Sequence, residues 1–283
     1  MNPQESVSVV ITTYNRSDAF LAVMAGLVQQ TDRNFEVIVA DDGSREEHRR
    51  AILESSAARE LRVVHVWHPD IGFTASQVRN LGVAAAKGQY IIFLDGDCVP
   101  EVDFIVRHKA LAQAGFFVNG SRVLLSPDLT QRVLAGSESV CGRSSFFWIK
   151  QRLLGHASKL SHLLRLPDGV WRLARKFSWK GIRSCNMALW KADFERVDGF
   201  DESFVGWGHE DADFVLRLHH SGVVRKNGFC ATEVFHLWHE EAKRNKASQN
   251  AKIVRERVTT GVTRSTFGYS QNRANDDVVL TRL

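Results

Sequence analysis

Four short runs rich in β-branched and aromatic residues, 7–11, 35–40, 61–66 and 90–94, alternate with stretches of helical periodicity at 18–30, 45–59 and 74–86. Strands that alternate with helices in this way predict an α/β fold, with a mostly parallel central sheet and helices on both of its faces. Ligands of such sheets sit beyond the carboxyl ends of the strands, so the residues that follow each strand matter most.

Those positions are polar. Thr12-Thr13-Tyr14-Asn15-Arg16 follows the first run, Asp41-Asp42-Gly43-Ser44 the second, and Asp95-Gly96-Asp97 the fourth. Together they suit one nucleotide. None is a glycine-rich dinucleotide fingerprint or a phosphate loop ending in Gly-Lys-Ser/Thr, which argues against a dehydrogenase or a P-loop ATPase. The formal charge of +5 favours acidic partners without choosing among nucleotide phosphates, anionic lipid and nucleic acid. Cys98, Cys141, Cys185 and Cys230 have neither zinc-site spacing nor the density of a disulfide framework, and read as reduced thiols. With no basic start, no long apolar leader and no run of membrane-spanning length, the sequence predicts a cytoplasmic protein, docked at most on the inner membrane face.

Beyond residue 142 the character changes. Residues 143–183 interleave Lys150, Arg152, Lys159, Arg165, Arg172 and Arg175 with Phe146, Trp148, Leu153, Leu163 and Trp171, with Asp168 as the one acid. This reads as a largely helical insertion on the acceptor side, either a solvated amphipathic cover or a contact for anionic membrane. A strand near 184–189, a helix over 210–220 and a strand ending near Phe235 follow. The division expected is a single domain over 1–240, with a nucleotide part at 1–124 and an acceptor and catalytic part at 184–240. A tail, helical and then frayed, occupies 241–283.

Two carboxylates at the end of a buried strand repel each other unless a cation joins them. A hard divalent ion accepts carboxylate and diphosphate oxygens together, and Gly96 permits close backbone approach. At 4 Å, opposite unit charges gain roughly 4 kcal/mol at an effective dielectric of 20. Gly206-Trp207-Gly208-His209-Glu210-Asp211 offers Trp207 as a wall for a sugar ring and two acids where a hydroxyl could be deprotonated; ordinary helix capping explains only one of the acids. His236 and His239 follow a predicted strand and could complete the coordination begun by Asp97, with His236 favoured and His239 the second contact.

Taken together, these segments resemble the family 2 glycosyltransferases of the GT-A fold, and the second half resembles the galactosyltransferase and N-acetylgalactosaminyltransferase type. The resemblance covers roughly residues 6–124 and 184–240. It implies that Thr12, Tyr14 and Arg16 border the nucleotide, that Asp42 binds uracil with Arg79 beside the base, and that Asp95 contacts ribose or sugar. It further implies that Asp97 holds the metal, Mn²⁺ first and Mg²⁺ second, that Asn186 lies near the donor, and that Asp211 is the base with Glu210 as its orienting partner. A carboxylate at position 211 favours inversion. The reaction implied is transfer from a UDP-sugar to a glycan or glycolipid acceptor, of the kind found in lipopolysaccharide or capsule, with no role for nucleic acid. Two rivals stay open: a nucleotidyltransferase, although residues 12–16 lack its glycine-rich loop, and a non-catalytic basic protein that binds membrane or nucleic acid.

Overall fold

The computed structural model describes residues 6–204, 206, 208–240, 247–271 and 277–283. Its strands are β1 (Val7–Thr13), β2 (Phe35–Asp41), β3 (Val63–Trp67), β4 (Tyr90–Asp95), β5 (Cys98–Pro100), β6 (Phe116–Asn119), β7 (Ser121–Leu124), β8 (Leu173–Ala174), β9 (Asn186–Trp190), β10 (Val224–Asn227), β11 (Glu233–His236) and β12 (Val279–Arg282). The helices are α1 (Ser17–Val28), α2 (Glu46–Leu53), α3 (Ser56–Glu60), α4 (Ala75–Ala85), α5 (Phe104–Leu111), α6 (Pro127–Leu134), α7 (Ser145–Leu153), α8 (Lys191–Arg196), α9 (Glu210–His220) and α10 (Ala247–Arg257).

The main sheet runs β12-β3-β2-β1-β4-β9-β6-β10-β8, and β5-β11-β7 form a small second sheet. β3, β2, β1 and β4 are mutually parallel, while β9 runs antiparallel between β4 and β6. Alternate residues of each central strand feed two cores. Val7, Val9, Ile11, Tyr90, Ile92 and Leu94 pack on one face, and Val10, Ile38, Ile91 and Phe93 on the other. Burial on both faces explains why these strands read as continuous apolar runs. Gly82 lets α4 lie close to the sheet, because a Cβ there would meet Val10 Cγ1 at 2.6 Å.

The helix expected over 45–59 is two helices. Ser55 is extended and its hydroxyl accepts the Ala58 N–H at 3.2 Å, which starts α3 afresh. The third strand lies at Val63–Trp67 rather than 61–66. Within the insertion, α7 is helical as expected, but the rest is 3-10 turns, the short β8 and irregular chain. The buried Arg172 holds this segment, donating to the carbonyls of Leu166 (2.6 Å), Pro167 (3.0 Å), Asn227 (2.7 Å) and Phe229 (2.8 Å). A guanidinium with several carbonyl acceptors fixes irregular backbone that a helix would otherwise satisfy internally.

The tail also differs from expectation. It belongs to the domain rather than fraying from it: β12 adds an antiparallel edge to β3, and Tyr269 lies in the core beside Phe194. Helix α10 packs Val254 against Phe204, Ala212 and Leu216. Its Arg257 reaches Asp213 at 2.6 Å and Asp201 at 2.8 Å, both fully buried carboxylates. Removing one partner from a buried pair strands the other charge. Arg257→Ala should therefore cost about 3 to 5 kcal/mol near neutral pH, measured as a lowered denaturant midpoint, whereas Lys252→Ala on the same helix should cost less than about 0.5 kcal/mol.

Candidate active site

The carboxyl ends of β1, β2 and β4 open on a cleft of about 1010 Å³, lined by Thr12, Tyr14, Arg16, Asp42, Arg79, Asp95, Asp97, Glu210, Asp211, His236 and His239. That volume suits a ligand well above the size of a single sugar. Trp207 lies outside the described residues.

Each position has a local cause. Gly96 donates its N–H to the Thr12 carbonyl at 2.8 Å, and a Cβ there would stand 2.8 Å from the same oxygen. The glycine of Asp-Gly-Asp thus serves the approach of β4 to β1, and it also lines the cleft. Thr12 Oγ1 donates to Asp95 Oδ1 at 3.0 Å. Pairing of β5 with β11 sets Cys98 opposite His236, and the Leu237 N–H donates to the Asp97 carbonyl at 2.9 Å. That register delivers His236 Nε2 to 3.8 Å and His239 Nε2 to 3.1 Å from the Asp97 carboxylate.

Burial acts to raise the Asp97 pKa, but the hydrogen bond from His239 and the charges of both histidines hold it below the usual range. Burial lowers the His236 pKa, whereas the bond to Asp97 raises that of His239. Ligand atoms of Asp97 and His236 lie within 4.8 Å of one another, and His239 stands beside Asp97 outside that group; a carboxylate with imidazole suits a divalent ion such as Mn²⁺. Cys98 also lies within the group but is fully buried; burial pushes its thiol pKa well up, and it donates to Asp97 Oδ1 at 3.5 Å. A protonated thiol is no ligand for a hard ion.

Asp42 holds the opposite end of the cleft. It accepts the N–H of Thr74 at 3.1 Å and the Thr74 hydroxyl, and His68 Nε2 lies 3.1 Å away. Tyr14 is exposed and donates to Asp70 at 2.9 Å, and Arg16 pairs with Asp18 at 3.1 Å.

Arg79 lines the cleft, its buried guanidinium 3.3 Å from Asp95 and 3.6 Å from Glu210 and over the ring of Phe200. Asn186 lies outside the lining of the main cleft. Its amide donates to the carbonyls of Ser121 (3.0 Å) and Thr232, and its oxygen faces His108 Nε2 at 3.1 Å. Burial pushes the His108 pKa down to about 3, so this ring is neutral. Asn186 borders a second, smaller cavity instead of the main cleft.

Before α9 the chain passes through positive φ at Gly206, Gly208 and His209, at 79°, 104° and 72°. Glycine adopts this region freely, whereas the histidine does so at a cost of about 1 kcal/mol. The turn sets Glu210 and Asp211 at the start of α9, where the helix dipole favours carboxylates. Glu210 is buried, and its Oε2 has no hydrogen-bond partner among the described residues. Asp211 Oδ1 accepts the Ala212 N–H at 2.8 Å. Burial and the neighbouring Glu210 charge push the Asp211 pKa up to about 7, against the pull of Arg79.

Several residues of this region carried no signal in sequence. Asn80 donates to the Phe200 carbonyl at 2.9 Å and to Glu202 at 2.7 Å, tying α4 to the loop before α9, and Asn250 of α10 donates to the Gly208 carbonyl at 2.8 Å. Arg122 and Arg183 line the cleft as well.

Comparison with known proteins gives the family and the fold. The family model Glycosyl transferase family 2 matches residues 8–172, and a second, N-terminal domain of galactosyltransferase, matches residues 169–240. Chondroitin synthase of Escherichia coli is 28% identical over 84% of this chain and 35% of its own length. Validoxylamine A glucosyltransferase of Streptomyces hygroscopicus subsp. jinggangensis is 30% identical over 77% of this chain and 52% of its own. The chain thus spans about a third to a half of the length of these curated relatives. Among solved structures, the mannosyltransferase PcManGT of Pyrobaculum calidifontis, in complex with GDP-Man and Mn2+, superposes with a TM-score of 0.60 at 14% identity, over 93% of this chain and 70% of that one. S. aureus TarS 1-349 in complex with UDP-GlcNAc gives 0.58 at 14% identity, over 94% and 69%. The chain belongs to glycosyl transferase family 2 and has the GT-A fold.

The raised pKa of Asp211 has a thermodynamic consequence. The carboxyl is neutral in folded and unfolded chains below about pH 4 and charged in both above about pH 7, so its unfavourable burial grows across that window. Asp211→Asn should therefore match the parent near pH 4 and exceed it by roughly 2 to 4 kcal/mol at pH 8, read from urea midpoints.

Proposed function

We propose that the chain is a metal-dependent, inverting glycosyltransferase that moves a hexose or N-acetylhexosamine from a UDP-sugar to a hydroxyl of a glycan or glycolipid. The observation that carries this reading is that one cleft is lined both by Asp97 with two histidines and by the acid pair Glu210 and Asp211 at a helix start. Relatives named as a chondroitin synthase and a glucosyltransferase, and fold neighbours whose titles name UDP-GlcNAc or GDP-Man, support a nucleotide-sugar donor and a glycan acceptor.

In this reading Asp42, Tyr14 and Arg16 receive the uridine at the β2 and β1 end, and Asp95 meets ribose or sugar. Asp97, His236 and His239 would hold a divalent ion, Mn²⁺ in preference to Mg²⁺, which when bound supplies positive charge to the diphosphate. Asp211 accepts the proton of the acceptor hydroxyl as that oxygen bonds to the anomeric carbon. The bond from that carbon to the diphosphate oxygen breaks, and UDP leaves with the electron pair. Glu210, with one oxygen unpartnered among the described residues and the other beside Arg79, orients the hydroxyl groups.

A second feature bears on where the acceptor is met. Phe146, Ile149 and Leu153 recur at helical spacing on α7 and are exposed, with Lys150 and Arg152 on the same helix. An apolar stripe flanked by cations suits the surface of an anionic membrane, here its cytoplasmic face. Among the described residues no helix is long and apolar enough to cross a membrane.

A panel of UDP-sugars with Mn²⁺, scored for UDP release with candidate glycans, tests the reaction; pyrophosphate release from NTP would instead point to a nucleotidyltransferase. Asp211→Asn should lose about 10²- to 10⁴-fold in kcat, roughly 3 to 5 kcal/mol, and keep donor affinity. Transfer at the parental rate would overturn the base assignment. Asp97→Ala should weaken Mn²⁺ and UDP binding. Since the base must be deprotonated, kcat/KM should rise with pH through about 7 and then level off. In sedimentation with vesicles, phosphatidylglycerol should retain more protein than phosphatidylcholine, and Phe146→Ser with Leu153→Ser should abolish the difference; equal retention by both lipids removes the membrane role.

A further inference from the structure

Beside the main cleft lies a cavity of about 230 Å³ that the proposed reaction leaves unused. Its walls carry Arg122, Lys159, Arg183 and Arg225, together with Asn227 and the half-exposed ring of Phe229. Arg122 and Arg183 line both spaces, so the cavity opens onto the cleft.

Its place follows from the sheet order. The proposed donor residues stand at the rim of β2, β1 and β4, whereas this cavity stands at the rim of β9, β6 and β10. Leu94 pairs with Asn186 where β9 begins, and Asn119 pairs with Asn227 where β6 and β10 end. The cavity is therefore on the side of the rim away from the nucleotide end, where an acceptor would enter.

Four cations around one small space repel one another. Burial lowers the Lys159 pKa; Glu233 pulls it up, and Arg183 and Arg122 push it further down. Glu233 is buried, with Oε1 accepting the Cys230 N–H at 2.7 Å, and offsets one of the four charges. Arg122 and Arg183 have no ion-pair partner among the described residues. Among the described residues, Arg225 Nε is a buried donor without a hydrogen-bond partner, and the buried acceptor Asn119 Oδ1 is left for a sugar hydroxyl rather than for the anion. Unpaired buried polar groups cost about 1 to 3 kcal/mol each, and a bound anion would satisfy the donors and relieve the repulsion.

We propose that this cavity is an acceptor subsite for a sugar residue bearing a negatively charged group, carboxylate or phosphate. The guanidinium groups take the anion in paired hydrogen bonds, and Phe229, over which Lys159 lies at 5.1 Å, offers a face to the ring. The assignment to the acceptor rests on the transferase reading above; the preference for an anionic sugar does not.

Titration of the full chain with D-glucuronate, glucose 6-phosphate and glucose, followed by calorimetry, tests the subsite. At least one acidic sugar should bind about tenfold or more tightly than glucose, and which of the two binds identifies the anion. Lys159→Gln with Arg225→Gln should weaken that binding about tenfold or more and leave UDP affinity unchanged, since neither residue lines the main cleft. Preference for glucose, equal binding of all three, or indifference to the double substitution would overturn the proposal. Inorganic phosphate binding as tightly as glucose 6-phosphate would overturn its sugar part. Binding of acidic sugar without binding of UDP would sink the donor reading and leave the anion site standing.

Discussion

One buried cation makes the acid-rich rim of this sheet possible. Arg79 stands between Asp95 at the end of β4 and Glu210 at the start of α9, and its charge also acts on Asp211. Burial acts to lower its pKa, but the three carboxylates raise it further, so the guanidinium stays charged. Without that charge the acids would face each other across a space of low dielectric, where like charges within a few ångströms cost several kcal/mol. The same contact fixes the distance between the proposed donor and acceptor halves, since α4 belongs to the first and α9 to the second. Stacking of Arg79 over Phe200 and the two-way hydrogen bonds of Asn80 with Phe200 make this a rigid joint.

Behind α9 lies a second layer of buried charge. Arg217 pairs with Asp213 at 2.8 Å and donates to the carbonyls of Val197 and Gly199, while Arg257 closes on Asp213 and Asp201 from α10. Buried ion pairs add little net stability over apolar packing, but they are specific in geometry. Here they set the rotation of α9 about its axis. That rotation decides which of its first-turn acids faces the cleft: Asp213 is held in the network and Asp211 is left to the cleft. The residual cost appears at Asp211, whose carboxyl is kept in poor solvation and so titrates near pH 7, a range that suits the role of base proposed for it.

Much of this was legible in the chain. The continuous apolar runs and the helical spacing between them determined an α/β sheet buried on both faces, and the polar residues after β1, β2 and β4 marked the rim on which the cleft opens, because side-chain period and strand direction are local properties. The paired acids at 95 and 97 and at 210 and 211, and the histidines at 236 and 239, were visible for the same reason: each group is contiguous in sequence. Tertiary structure alone decided how these groups meet. The pairing of β5 with β11 brings His236 beside Asp97, and Arg79 links the two acid motifs. Asn186 is turned into the interior by His108, and the tail is recruited as a sheet edge and a brace, through contacts between residues far apart in the chain. No periodicity or spacing encodes such contacts, because they depend on which elements the folded sheet sets side by side.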